Sequence, residues 1–201
     1  VVWHSVRILG FIPLSAACRA ELDVCFTQDA AAWMPRREDT MSEAISIRKF
    51  APGDRAMVQE FFNQMGGETR ALFNRGGWNE RNAMKFFDGD TQHSTYFAAT
   101  VPGDGGELMV GYLFLWDIHT SIPWLGVAVR EEYKGQGLGR RLMTHAADYA
   151  RSLGAGGILL TTSQANLRAQ ALYERMGYMR MGVHNYGEVL YLLRFAVRVR
   201  S

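Results

Sequence analysis

An apolar strand that runs into a glycine-rich turn and then a basic, amphipathic helix constrains this chain most: WLGVAVREEYKGQGLGRRLM, Trp124 to Met143. Gly135, Gly137 and Gly139 let the backbone turn tightly and approach an anion with no Cβ in the way. A helix beginning near Leu138 then points unpaired N–H groups, and the positive end of its dipole, at the same place. This order of elements predicts a cradle for a phosphorylated ligand.

Spacing tests two familiar glycine loops. A Walker loop needs Gly-Lys-Ser/Thr after its first glycine and four intervening residues, but the run here ends in Arg140 and Arg141. A dinucleotide fingerprint needs GxGxxG, yet the third position after Gly137 is Arg140, and the next strand, GILLTT, ends in threonines rather than an acidic ribose ligand. Neither fits.

The segment instead resembles the acetyl-coenzyme A signature of the GCN5-related N-acetyltransferase (GNAT) superfamily, Arg/Gln-x-x-Gly-x-Gly/Ala after a strand ending apolar-Ala-Val. Val127, Ala128 and Val129 close the strand, Gly137 and Gly139 take the two glycine positions, and Lys134 stands where the family has arginine or glutamine. Lysine keeps the charge but loses the planar fork of donors. A later segment, NLRAQALYERMGYMRMG from Asn166 to Gly182, is similar to the family's second motif through Asn166, Ala169, Leu172, Tyr173, Gly177 and Tyr178. On its own chemistry, this segment puts Ala169, Leu172, Tyr173 and Met176 on one helical stripe, with Gly177 as a C-cap.

Size and charge agree with a single enzyme domain. The 201 residues are 48% hydrophobic and 21% charged, enough for one well-buried core. A net charge of +2 argues against a chain that coats nucleic acid. Both cysteines, Cys18 and Cys25, fall before residue 40 and lack CxxC spacing, so neither a disulfide framework nor a thiolate metal site is expected. Residues 1–40 read as an extension outside the functional domain, because Met41 followed by SEAISIRKF looks like a natural start leading into a first strand. The run ILGFIPLSAAC at residues 8–18 offers the alternative of a signal-peptide core, but Gly10 and Pro13 break it and it is too short to span a bilayer. Residues 41–201 form the expected domain.

From there the pattern predicts a strand over 45–50, helices over 54–65, 68–74 and 80–87, and strands over 95–100 and 108–117 joined by the PGDGG turn. The strand 124–129 follows, then a helix over 138–153 with apolar Leu138, Leu142, Ala146, Ala150 and Leu153. A strand over 157–162, the Tyr173 helix and strands over 178–184 and 189–197 complete the chain. This is an α/β fold with a mixed (α+β) sheet of about seven strands and four or five helices; no transmembrane span is evident.

The resemblance implies a GNAT-like acyl-CoA N-acyltransferase fold whose sheet splays beside the cofactor strand, and acetyl-CoA as cosubstrate with no metal. It assigns cofactor contacts to Val127, Ala128, Val129, Lys134, Gly135, Gln136, Gly137, Leu138, Gly139, Arg140 and Asn166. It makes Tyr173 the general acid for direct attack of a primary amine on the thioester; a phenol's ordinary pKa of about 10 suits that task. Many family members carry a glutamate at the start of the cofactor strand, where this chain has Pro123 and Trp124. Asp117 and His119 are the nearest replacements in sequence, beside proton loss to water. The acceptor wall is expected within Asn63 to Asn82, where Phe73 and Trp78 accompany Glu68, Glu80, Arg70 and Arg75. The acceptor is a small-molecule or protein amine, with no nucleic-acid or membrane partner. The setting is cytoplasmic, and a homodimer is compatible. A non-catalytic acyl-CoA sensor, or transfer of a longer acyl group, stays open.

Overall fold

A computed structural model describes residues 45–184 and 187–196. Cys18, Cys25, the expected extension over 1–40 and the start at Met41 lie outside the described residues. The described chain orders β1 (Ser46–Lys49), α1 (Arg55–Asn63), α2 (Gly67–Phe73), α3 (Trp78–Lys85), β2 (Ser94–Gly103), β3 (Gly106–Trp116) and β4 (Trp124–Val129). It continues with α4 (Leu138–Ser152), β5 (Gly157–Thr162), α5 (Leu167–Arg175), β6 (Met179–Val183) and β7 (Val189–Arg194). The seven strands form one mixed sheet in the order β1-β2-β3-β4-β5-β7-β6, and only the β4–β5 pair is parallel.

The sheet carries a core on each face because its central strands are apolar on both sides. In β3, Leu113 and Leu115 alternate with Tyr112 and Phe114, as a pleat demands. The leucines join Leu138, Leu142, Met143 and Ala146 of α4. Tyr112 and Phe114 face Val58, Phe61 and Phe62 of α1 and Ala83 of α3, with six aromatic neighbours, Phe114 among them, within 6.4 Å of the Tyr112 ring on that side.

Two local expectations shift. The β2–β3 hairpin is longer than the PGDGG turn implied: Pro102 pairs with Glu107 and Gly103 with Gly106, so only Asp104 and Gly105 form the turn. Leu153 does not extend the apolar stripe of α4. It is the C-cap, 47% exposed, because the helix has already ended ahead of Gly154 at φ +81°. The stripe is filled instead by Met143 and Ala147.

α4 presses onto β3 where Gly111 leaves room. A Cβ there would lie 2.9 Å from Leu142 Cδ1 and 3.1 Å from Ala99 Cβ, so the Leu142 side chain packs directly on the strand backbone. Leu142 is fully buried at that contact. Leu142→Ala is expected to cost about 2–5 kcal/mol of folding free energy through lost contacts and the cavity left behind. Urea denaturation would show this as a lower midpoint at an unchanged m value.

Candidate active site

β4 and β5 meet and then part. Their paired residues are Trp124 and Leu159, and the backbone bond from Leu159 N to Pro123 O measures 3.0 Å. Beyond it β4 stays paired with β3 through Val129, while β5 stays paired with β7 through Thr162. The gap between them opens into a cleft of about 450 Å³. Residues 125–129 line one wall, residues 160–162 the other, and Thr69, Leu72 and Phe73 of α2 close over it. That volume lies in the range of small-molecule sites, about 300–1,000 Å³.

The glycine turn forms one end of the cleft. Gly137 is the N-cap of α4 at φ +82°, a conformation that favours glycine, and the space where its Cβ would stand is empty. Gly139 allows α4 to approach α5, since a Cβ there would sit 3.4 Å from Leu172 Cδ2. The unpaired N–H groups of the first turn of α4 therefore face the opening. Lys134, Arg140, Arg168 and Arg175 add four cationic side chains to the lining. A Cβ on Gly135 would lie 3.3 Å from Arg168 Nη2, so the Arg168 guanidinium stands directly against the turn. A phosphate-bearing ligand fits this donor set: N–H groups at a helix start, flanked by cations.

Of the residues singled out in the sequence, Val127, Ala128, Val129, Lys134, Gly135, Gly137, Gly139, Arg140, Asn166 and Tyr173 all line this one cleft. Leu138 and Gln136 do not. Leu138 is buried in the core under α4, and the Gln136 amide donates to Glu132 O at 2.6 Å. Asp117 and His119 are also elsewhere. Both are exposed in the turn after β3; Asp117 O accepts from Thr120, and His119 Nε2 lies 2.7 Å from Gln92 O. Asn166 spends its side-chain oxygen on capping α5, accepting from Ala169 N at 3.2 Å.

Arg70 donates to the carbonyls of Phe62 and Asn63 at the end of α1, and Glu80 accepts from Gln59 and Asn74. These side chains tie α1, α2 and α3 together. Phe73 lines the cleft, whereas Trp78 packs edge-on against Trp116 outside its lining. Three charged lining residues are not among those the motifs single out. Arg168 and Arg175 are legible in retrospect, since with Leu172 they repeat at helical spacing along α5. Glu188, after β6, belongs to no motif and carries no local signal.

Tyr173 lines the same cleft and is buried there, packed against Tyr178 and Tyr191. Burial pushes its hydroxyl up to about 12; the neighbouring Thr162 hydroxyl pulls the other way, while Tyr191 and the Glu188 carboxylate add to the rise. The phenol therefore stays protonated at any pH near neutrality and can act only as a donor there.

A carboxylate locks α2 to the turn. Glu131 accepts from Thr69 Oγ1 at 2.5 Å and from Gly66 N at 3.4 Å, at the N-terminus of α2, and pairs with Lys134 Nζ at 3.2 Å. Lys134 also donates to Thr69, so its ammonium is shared between this lock and the cleft. Burial alone would raise the Glu131 carboxyl, but Thr69 and Lys134 outweigh it and hold the group below its ordinary value.

With the cleft, its glycine turn and the Tyr173 helix in place, residues 58–178 match the model of the acetyltransferase (GNAT) family. The chain belongs to that family. It is an acyltransferase with the GNAT fold. Over 146 residues it is 35% identical to the streptothricin acetyltransferase of Streptomyces lavendulae, which covers 72% of this chain and 68% of the relative. It is 28% identical over 174 residues to the mycothiol acetyltransferase of Stackebrandtia nassauensis, and spans 53% of that protein against 77% of its own length. Among solved structures, the PaiA N-acetyltransferase of Thermoplasma acidophilum in complex with coenzyme A superposes with a TM-score of 0.61. It is 15% identical and covers 75% of this chain and 99% of its own, a likeness of fold. Among the described residues no helix is long and apolar enough to cross a membrane, and no cluster of His, Cys, Asp and Glu is suited to hold a metal.

Gly66 has no room for a side chain: a Cβ would come within 2.6 Å of Glu131 Cδ. Gly66→Ala is expected to push Glu131 off Thr69 and return its carboxyl towards the ordinary value, read by NMR titration of side-chain carboxyl carbons. The lock stabilises the fold above the ordinary carboxylate pKa and fades as pH falls through the lowered one. The variant should therefore lose less stability on acidification than the parent protein.

Proposed function

We propose that the protein is an N-acetyltransferase that moves the acetyl group of acetyl-CoA to a primary amine by direct attack. The observation that carries this reading is the cleft itself: a strand edge left open between β4 and β5, with the glycine turn at one end and a buried, protonated tyrosine within the same lining. Acetyl-CoA supplies an acetyl group activated as a thioester and, through its phosphates and amide-rich arm, the chemistry to which this lining is complementary. PaiA, with the same fold, was solved with coenzyme A bound.

In this reading each part of the chain has one task. The turn from Gly135 to Gly139 and the start of α4 receive the pyrophosphate through backbone N–H groups, while Arg140, Arg168 and Arg175 balance the remaining negative charge. The open edge of β4 at Val127, Ala128 and Val129 pairs with the arm's amides as a further strand would, so conservative changes of those side chains matter little. A backbone N–H near Val127 or Ala128 donates to the carbonyl oxygen as charge develops there. The Tyr173 hydroxyl protonates the departing sulfur, and its raised pKa keeps the proton available until then.

A small-molecule amine is the favoured acceptor. Streptothricin acetyltransferase is the relative with 35% identity, and it covers more than two thirds of both chains. Relatives named for protein substrates, such as the putative ribosomal-protein bS18-alanine N-acetyltransferase of Bacillus subtilis, align over 39% of this chain.

The direct test is release of free thiol from acetyl-CoA in the presence of pooled primary amines, with succinyl-CoA and longer acyl-CoAs in parallel. Acetyl-CoA should be turned over fastest, and silence of every amine while acetyl-CoA binds would refute acetyl transfer. Tyr173→Phe should lower kcat by about 10²–10⁴-fold, the usual size of a lost general acid, with little change in acetyl-CoA affinity by calorimetry. Equal losses in both would remove Tyr173 from the proton-donor role.

A further inference from the structure

The acetyl-transfer reading leaves one task without a residue. A primary amine arrives as an ammonium ion and must shed a proton before it can attack. No carboxylate stands at the start of β4, where the residues are Pro123 and Trp124, and Asp117 and His119 are exposed outside the cleft lining, with His119 Nε2 2.7 Å from Gln92 O. Among the described residues two carboxylates line the cleft, Glu68 on α2 and Glu188 on the last hairpin, and Glu188 is the one whose charge reaches the Tyr173 hydroxyl.

Glu188 immediately precedes β7, whose first residue, Val189, pairs with Thr162 at the end of β5. Glu188 is thereby fixed beside the C-terminal end of β5, half-buried, in the lining that also contains Tyr173. The hairpin holds it there through its backbone: His184 N donates to Glu188 O at 2.7 Å, and the His184 ring packs edge-on against Trp124, 5.9 Å between centroids. The hairpin thus reaches the first residue of β4, the neighbourhood in which the strand has no acid of its own.

The charges divide accordingly. Lys134, Arg140 and Arg168 gather around the turn, Arg175 lines the cleft two residues after Tyr173 on α5, and Glu68 adjoins Thr69 on α2, next to the Glu131–Lys134 lock. Glu188 is on the opposite strand wall, near enough for its charge to act on the Tyr173 hydroxyl. Among the described residues its carboxylate makes no ion pair. A half-buried cleft carboxylate that forms no ion pair within its own chain is a place for a cation from outside.

We propose that Glu188 is the catalytic carboxylate of the acceptor side, binding the ammonium group of a cationic primary amine beside Tyr173 and taking the proton it must lose. This inference rests on the acetyl-transfer reading. The step balances: the ammonium gives one proton to Glu188, and the freed nitrogen lone pair forms the C–N bond to the thioester carbon. The C–S bond breaks and the sulfur takes its proton from Tyr173. The second proton on nitrogen leaves to solvent and Tyr173 takes one back, so that, once Glu188 is discharged, one proton is released for each acetyl group moved.

The test compares the parent protein with Glu188→Gln and Glu188→Asp, using benzylamine, cadaverine and lysine ethyl ester as acceptors and calorimetry for acetyl-CoA. Glu188→Gln should lower kcat/KM for the amine by about 10²-fold or more, with acetyl-CoA affinity within twofold of the parent. The deficit should shrink as pH rises towards the pKa of the amine, because the free amine then arrives without a proton to give. Glu188→Asp should recover part of the activity. A Glu188→Gln protein that acetylates the amines within threefold of the parent at pH 7 overturns the role of Glu188. So does a deficit that is constant with pH. A parent protein that binds acetyl-CoA but acetylates none of the three amines, nor any in the pooled library, overturns the acetyl-transfer reading instead, and this inference with it.

Discussion

The separation of β4 from β5 is the constraint on which the rest of the structure depends. Two parallel strands that remained paired would satisfy one another's backbone groups and leave no cleft. Here each strand is held by a different antiparallel partner, β4 by β3 along its whole length and β5 by β7, so the two can diverge after Trp124 and Leu159 without either losing its place in the sheet. Unpaired strand edge is normally a liability. In this fold it becomes a surface of fixed donors and acceptors, walled by α2 on one face and α5 on the other.

Everything chemically distinctive is then a matter of what the neighbouring elements bring to the gap. α4 and the turn before it bring N–H groups and positive charge, because a helix start follows the strand directly. α5 brings Tyr173 to a dry position and Arg168 to the turn from a single helical surface. The β6–β7 hairpin brings a carboxylate. The Glu131 lock ties α2 to the turn, so the α2 wall of the cleft is joined to its glycine-rich end. In the proposed mechanism that tie gives the two ligands a common frame, and it sits on a glycine, Gly66, that leaves the carboxylate its space.

How much could be read without the structure varied with the range of the interaction. The strand over 124–129 and the strand over 157–162 were legible to the residue, since a continuous apolar run between breakers is a local signal. The motif residues that line the cleft are legible for the same reason: they come from two short stretches in which spacing encodes geometry. Asp117 and His119 are near the cofactor strand only along the chain: the turn at Asp117, with φ +54°, leaves both exposed and outside the cleft lining. Arg70 and Glu80 looked like candidate ligands because they are charged residues beside aromatics. The structure uses them to join three short helices, a use that depends on contacts no local pattern reports.

By itself, the sequence determined the alternation of strands and helices, the glycine turn at Gly135–Gly139 before a helix start, and the placement of Tyr173 on an apolar helical stripe. All three follow from periodicity, glycine conformation and the helix dipole, which act within a few residues. Only the tertiary structure decided that the turn and Tyr173 share one cleft, that Tyr173 is dry enough for its hydroxyl to be held at about 12, and that Glu188 joins them from the last hairpin. Those outcomes depend on which strands pair with which, and pairing is set by the fit of whole faces across the sheet, so no single segment contains it.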